Sequence, residues 1–230
     1  MKSKIFELVF RIIIILSAIL GLFVFYNPYG VGMQFWFFTV QTNMFVVIVE
    51  LFLCIGLILD IFKIKNNLIR NKLFSTTRLM VTFFITITGV IYCFVLAPAG
   101  ILFGGKSVTL MLGVRNILLH VVVPILSVVG YYKFCPKEQL SKHYAFLFLI
   151  YPFVYFIMVN LRVWLGGAAF YDGTLYPYFF IDPTINNQGW GMVAIYICVI
   201  IAMFYGLARL YIYANNKIAK SKKNSKKIVK

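Results

Sequence analysis

The stretch of sequence that decides the fold covers residues 117–129 and reads ILLHVVVPILSVV. Apart from His120 and Ser127 its side chains are apolar, and with its flanks the run covers about 108–131. A run of roughly 20 apolar residues is enough to cross the hydrocarbon core of a bilayer. Lipid cannot solvate an ionisable side chain at that depth, so His120 is a candidate functional residue.

The rest of the chain is also predominantly apolar. Of its 230 residues, 62% are hydrophobic and 12% are charged, and a soluble domain of this size could not bury so much apolar surface. Six runs are long enough to span a membrane, at about 5–26, 35–59, 79–97, 108–131, 144–165 and 189–213. The sequence therefore predicts an all-α polytopic membrane protein with six transmembrane helices in one bundle.

The basic residues predict how the spans are oriented. Lys and Arg concentrate before the first run, in the loops after the second run (Arg78 among them) and the fourth run, and after Asn215, whereas the alternate connections hold only Lys106. Cytoplasmic segments carry such an excess, so both termini are predicted to be cytoplasmic. We expect a membrane domain at 1–214 and a disordered basic tail at 215–230, in a bacterial cell membrane.

The net charge of +16 does not indicate nucleic-acid binding, because it lies in loops and in the tail with no module to read bases. Such charge is expected to contact anionic lipid headgroups. The four cysteines have no metal-ligand spacing, and no nucleotide-binding or common hydrolase motif is present. No metal and no cofactor are expected.

The second span carries polar residues on one helical face. Thr39, Thr42, Asn43 and Glu50 fall on it, since offsets of 3, 4, 7 and 11 residues return to nearly the same angle. This face should point into the bundle. The plainer explanation for any one threonine or asparagine there is a hydrogen bond to a neighbouring helix.

Polar residues of the fourth and fifth spans are predicted to lie at the same depth in the membrane as those of the second span. In the fourth span Asn116, His120, Pro124 and Ser127 share one stripe. Arg115 of the fourth span could be a simple anchor at the interface. Together with the second span, the residues predicted to converge near the outer ends are Thr39, Asn43, Arg115, Asn116, Asn160 and Arg162.

Three motifs carry a resemblance to a known family. They are FFTVQTN at 37–43, LLHVVVP at 118–124 and YPYFFID at 176–182. Their order and spacing resemble the bacterial Pr6Pr family of six-span membrane proteins. More distantly the chain is similar to the eukaryotic androgen-induced and androgen-dependent membrane proteins, threonine hydrolases that cleave fatty-acid esters of hydroxy fatty acids. The resemblance implies Thr39 as nucleophile and His120 as base, with Thr42 as a competing match for the nucleophile.

The chemistry of such a pair is consistent. A threonine hydroxyl is a poor nucleophile until a neighbouring base takes its proton, and imidazole is the usual base. Burial disfavours the charged imidazolium, so we expect a neutral His120. Counted from the predicted span starts, Thr39 lies ~6 Å and His120 ~18 Å along its helix, and this difference shrinks if the membrane core begins near Arg115. No carboxylate is evident behind the histidine.

Two sets of side chains are assigned to the substrate by chemistry and position. An amide group can donate a hydrogen bond to a developing oxyanion, and the candidates are Asn43, Asn116 and Asn160. A guanidinium can hold a fatty-acid carboxylate, and the candidates are Arg115 and Arg162.

Three functional classes remain open at this point. The leading hypothesis is a hydrolase of a lipid ester. The second is a small transporter or ion-coupled carrier whose polar pathway contains Glu50, Arg115, His120 and Asn160. The third is a non-enzymatic membrane protein, in which polar substitutions would affect only folding and abundance.

Overall fold

The computed structural model describes residues 2–25, 30–67, 71–102, 107–137, 139–170 and 172–228. In these ranges all regular structure is helical. Six of the helices are long and apolar enough to cross a membrane: Ser3–Val24, Phe38–Ile61, Leu73–Leu102, Val114–Phe134, Tyr144–Trp164 and Gly189–Ser221. The predicted all-α class and the six spans are confirmed, and the chain is an integral, multi-pass membrane protein.

The chain forms two compact units. The first unit contains Met1–Asn27 and Phe38–Glu138, and therefore the first four spans. The second unit contains Pro28–Phe37 and Gln139–Lys230, and therefore the last two spans. Each unit is described separately below.

The core of the first unit is built from side chains of all four of its spans. The buried cluster consists of Ile14, Ala18, Val46, Val49, Leu53, Val81, Ile85 and Val123. Lipid is as apolar as these side chains, so close packing, more than removal from water, stabilises their contact.

The third span begins earlier than the sequence predicts. Its α-helix runs Lys72–Ile91, and the side chain of Asn71 caps it by accepting a hydrogen bond from the backbone N–H of Leu73 at 2.9 Å. Arg78 consequently lies inside this span and is 3% exposed. Its assignment to a cytoplasmic loop is wrong, because the capped helix extends beyond the purely apolar run.

Three spans of the first unit contain a π-helical turn. These turns cover Leu20–Val24, Tyr92–Leu96 and Leu118–Val122. The turn in the fourth span packs against the other two. π-Helical turns insert one extra residue into the helix and are frequent at functional sites. The π-helical turn of the fourth span contains His120.

The second unit holds two long helices, Tyr144–Trp164 and Gly189–Ile228. The last helix continues along the basic tail as far as Ile228, and the predicted division of the chain after residue 214 stays a prediction. Asn216 exchanges hydrogen bonds with the backbone of Leu140, at 2.9 Å to its N–H and 2.8 Å to its carbonyl. No Gly or Pro follows Gly206, and the many Lys residues of the tail favour a helix.

Candidate active site

Thr39 and His120 meet in the interior of the first unit. The Oγ1 atom of Thr39 lies 3.2 Å from Nε2 of His120, and both residues are buried. Thr39 is the second residue of the α-helix Phe38–Ile61, which starts after Phe37 adopts an extended backbone conformation. The two residues that the family resemblance pairs are therefore in hydrogen-bonding contact, whereas their catalytic roles stay predictions.

The second ring nitrogen of His120 identifies its tautomer. Nδ1 lies 2.9 Å from the backbone carbonyl oxygen of Asn116. A carbonyl only accepts, so Nδ1 carries the proton and Nε2 keeps its lone pair. The Thr39 hydroxyl consequently donates to Nε2. This is the order of nucleophile, base and orienting group found in hydrolytic triads, with a backbone carbonyl in place of the carboxylate.

The plane of the imidazole is held by an aromatic neighbour. The ring of Tyr92 stacks on the His120 ring with centroids 3.7 Å apart and an angle of 17° between the planes. The Tyr92 hydroxyl donates to the carbonyl of Met111, which also accepts from the side-chain amide of Asn116 at 3.2 Å. The ring of His120 is thus held by both stacking and hydrogen bonding.

The third span approaches the backbone of His120 at a glycine. A Cβ atom added at Gly89 would lie 2.7 Å from the carbonyl oxygen of His120 and 3.2 Å from Cβ of Pro124. Pro124 has no N–H to donate to that carbonyl, which is four residues earlier. Contact between the two spans here therefore requires a residue without a side chain.

We expect Gly89→Ala to lower the free energy of unfolding by about 1–3 kcal/mol, because the added methyl group must displace backbone or Pro124 atoms. Unfolding by SDS titration in mixed micelles measures this. Gly206→Ala is the matched control, since a Cβ there meets nothing within 4 Å. Equal unfolding curves for the two variants would contradict the close approach at Gly89.

Asn43 connects the second and fourth spans beside the pair. Its side-chain amide donates to the carbonyl of Thr39 at 2.9 Å and to the carbonyl of Leu119 at 3.3 Å. These bonds occupy both amide hydrogens. Its buried Oδ1 has no hydrogen-bond partner within the described ranges. These contacts indicate that Asn43 holds the second and fourth spans together beside the Thr39–His120 pair. A contact between Asn43 and substrate stays a prediction.

Thr42 makes its contacts away from His120. Its hydroxyl lies 3.1 Å from the carbonyl of Thr39 and 2.8 Å from the hydroxyl of Thr88 on the third span. Between the two threonines that the sequence leaves open, the geometry favours Thr39.

The remaining predicted residue of the first unit is Arg115. It is half-buried in the short helix Val114–Ile117, directly before Asn116. Asn116, which the sequence proposes as an oxyanion donor, instead orients His120 through its backbone carbonyl. The roles of both residues in binding substrate stay predictions.

The two predicted residues of the second unit, Asn160 and Arg162, bond within that unit. The amide of Asn160 donates to the carbonyl of Phe156 at 2.8 Å, within its own helix. Arg162 donates to the carbonyl of Leu175 at 2.8 Å and to that of Ala168. These bonds tie the helix end to the connection that follows it, and a role in substrate binding stays a prediction for both residues.

The guanidinium of Arg162 also lies against two aromatic rings. Its central carbon is 5.2 Å from the ring centroid of Trp36 and 4.8 Å from that of Phe170. In the described parts of the second unit no carboxylate lies within ion-pair distance of Arg162, and cation–π contacts of this kind stabilise such a buried cation. Arg162 therefore connects the end of its helix to Trp36 and Phe170.

The first unit contains a second polar cluster, which the sequence analysis does not predict. Arg11 is fully buried in the first span and donates to Glu7 at 2.6 and 3.1 Å and to Glu50 at 2.7 Å. Arg78, on the third span, lines the same small cavity as Glu50. A charged residue inside an apolar run, with an opposite charge four residues before it, is the signal that could have identified Arg11.

No metal centre is evident in the described parts of the chain, where no group of three His, Cys, Asp or Glu side chains could hold an ion. Comparison of the whole chain with protein-family models, curated proteins and solved structures found no match. The resemblance to the Pr6Pr family therefore stays a prediction carried by its three motifs.

Proposed function

We propose that the protein is an integral-membrane hydrolase of lipid esters, with Thr39 as nucleophile and His120 as general base. The observation that carries the proposal is the line of contacts from Thr39 Oγ1 to His120 Nε2 and from His120 Nδ1 to the Asn116 carbonyl. A nucleophile hydrogen-bonded to an oriented base is the recurring arrangement of acyl transfer.

The reaction proceeds in two halves. As Thr39 Oγ1 attacks the ester carbonyl, its proton moves to His120 Nε2, and the same proton then leaves with the alcohol. Water attacks the resulting acyl-threonine, Nε2 takes a proton from it, and the proton returns to Thr39 as the fatty acid departs. Throughout, the Asn116 carbonyl accepts from Nδ1–H and stabilises the transient imidazolium.

The start of the second span supports this chemistry electrostatically. Thr39 lies in the first turn of a 24-residue helix, where the positive end of the helix dipole is located. A negative charge developing on the substrate oxygen there is favoured by about 0.3–1 kcal/mol. The Oδ1 atom of Asn43, which has no partner among the described residues, is available as an acceptor for a hydroxyl group, such as that of an attacking water or a departing alcohol.

The surroundings support a lipid substrate. The reacting pair lies on transmembrane spans, so an ester with a long acyl chain reaches it from the bilayer. The family resemblance favours fatty-acid esters of hydroxy fatty acids, and a guanidinium such as that of Arg115, directly before Asn116 in the chain, would bind the carboxylate of such a substrate. We place the protein in a bacterial cell membrane, with anionic lipid headgroups against the seven lysines that follow Asn215.

A fluorophosphonate probe, which phosphonylates activated hydroxyl nucleophiles with loss of fluoride, tests the assignment in isolated membranes. We expect labelling of the wild type and none of Thr39→Val, which keeps the shape of the side chain and removes its hydroxyl. Thr42→Val is the matched control and should stay labelled. Equal labelling of the wild type and Thr39→Val would falsify Thr39 as the nucleophile.

The transporter alternative predicts solute or proton flux in proteoliposomes and no covalent adduct. It relies on Glu50, whose carboxylate the structure instead pairs with Arg11. Flux without labelling would favour that class. A protein that shows neither activity, and whose polar variants change only its abundance, would favour a non-enzymatic role.

A further inference from the structure

A small polar cavity lies in the first unit, among the second, third and fourth spans, away from the Thr39–His120 pair. Its volume is about 10 Å³, and its polar lining consists of Glu50, Arg78, Thr82, Ser127, Tyr131 and Cys135. A space of roughly 10–15 Å³ holds one water molecule if at least two polar groups face it. The cavity therefore matches a single small ligand.

Two of its lining residues carry polar atoms that lack a partner. Neither Nε of Arg78 nor Oγ of Ser127 has a hydrogen-bond partner within the ranges that the structure describes. The two residues are only 3% and 4% exposed. A buried polar group without a hydrogen bond costs about 1–3 kcal/mol, and lipid offers no substitute for it.

The charges beside the cavity determine what kind of ligand fits. Arg11 is bound by both Glu7 and Glu50, so these three residues carry one net negative charge. Arg78 adds one positive charge. In the described chain its guanidinium contacts the sulfur of Cys135 and the ring of Phe74, and no carboxylate lies within ion-pair distance.

These four charged groups sum to zero, and the nearby ammonium of Lys137, which is not part of the cavity lining, donates to the backbone carbonyls of Tyr131 and Cys135. An anion or a cation in the cavity would leave a net charge buried in the membrane, which is far more costly than a neutral ligand. A neutral molecule that both accepts and donates hydrogen bonds satisfies the unpartnered atoms without adding charge. Water is the molecule of that chemistry and that size.

We propose that this cavity is a binding site for one water molecule, which accepts from Arg78 Nε–H, bonds the Ser127 hydroxyl and donates to the Glu50 carboxylate. The water joins the Glu7–Arg11–Glu50 cluster and Arg78 into one polar network across all four spans of the first unit. It explains how a buried arginine without a carboxylate partner is tolerated inside a membrane. The proposal does not depend on the hydrolase function.

Proton NMR of the full chain, labelled with ¹⁵N-arginine in deuterated detergent micelles, tests the site. Arg78→Lys identifies the Arg78 Nε–H signal by its disappearance. We expect this signal to show a rotating-frame Overhauser cross-peak to water. Arg11 Nε–H, which donates to Glu7 at 3.1 Å, is the internal control and should show none.

Substitution of Ser127 and replacement of chloride by bromide distinguish water from an anion as the ligand. Ser127→Val, which fills the cavity with a methyl group, should abolish the water cross-peak, whereas Ser127→Ala should retain it. Replacing chloride by bromide should leave the Arg78 signal where it is. A halide-dependent shift would overturn the proposal in favour of an anion, and a folded wild type without the water cross-peak would overturn it outright.

Discussion

His120→Ala should lower the rate of ester hydrolysis by about 10²–10⁴-fold, the range that a positioned general base contributes. The structure gives two reasons for an effect of this size. Nε2 is the atom that receives the Thr39 proton, and Nδ1–H is held by the Asn116 carbonyl, so the ring is already oriented before substrate arrives. Hydrolysis of a p-nitrophenyl fatty-acyl ester, per mole of folded protein in micelles, measures it.

The chain contains its own control for this experiment. His143 is the only other histidine, and it is exposed directly before the helix Tyr144–Trp164. His143→Ala should therefore leave hydrolysis within about twofold of the wild type, in keeping with the small effects of most surface substitutions. If His120→Ala and His143→Ala hydrolysed the ester equally well, His120 would not be the base.

The pairing of Thr39 with His120 could be predicted only through the motifs. Counted from residue 108, the histidine lies ~18 Å along its span, whereas a start near Arg115 reduces the difference in depth from Thr39. In the structure the span starts at Val114, after a separate short helix Val108–Met111, so His120 lies only ~9 Å along it. Gly113 precedes that start and Arg115 and Asn116 follow it, so the sequence does offer a start near Arg115, but hydropathy alone does not choose between the two starts.

The orientation of His120 depends on contacts that a sequence does not contain. Its π-helical turn packs against two others, and the stacking partner Tyr92 lies on a different span. A helical wheel with 3.6 residues per turn cannot represent such a turn. The orienting group behind the histidine is a backbone carbonyl, and every residue has one, so residue type could not identify it.

Hydropathy alone does not identify the two buried arginines of the first unit, Arg11 and Arg78. Asn71 starts the third helix before its apolar run, and this brings Arg78 into the interior. Arg11 lies inside the mostly apolar run that forms the first span. In contrast, the positions of Asn160 and Arg162 near the end of the fifth span were predicted, but their bonds to nearby backbone carbonyls depend on the fold of the second unit.

Arg11→Met should lower the free energy of unfolding by about 3–5 kcal/mol, the typical cost of removing one partner of a buried ion pair. Arg11 is fully buried, and its removal leaves the carboxylates of Glu7 and Glu50 facing each other inside the first unit. Unfolding by SDS titration measures the loss. Arg209→Met, at an exposed arginine of the last span, is the matched control and should change it by less than about 0.5 kcal/mol.

The double variant Arg11→Met/Glu50→Leu distinguishes a lost charge partner from lost packing. It removes one positive and one negative charge, so the side chain of Glu7, which is 18% exposed, again balances Arg78. Replacing a buried ion pair by apolar side chains of similar volume is often neutral, so the double variant should recover most of the stability that Arg11→Met loses. If it unfolded as easily as Arg11→Met, the first span would contribute through the shape of its arginine and not through charge.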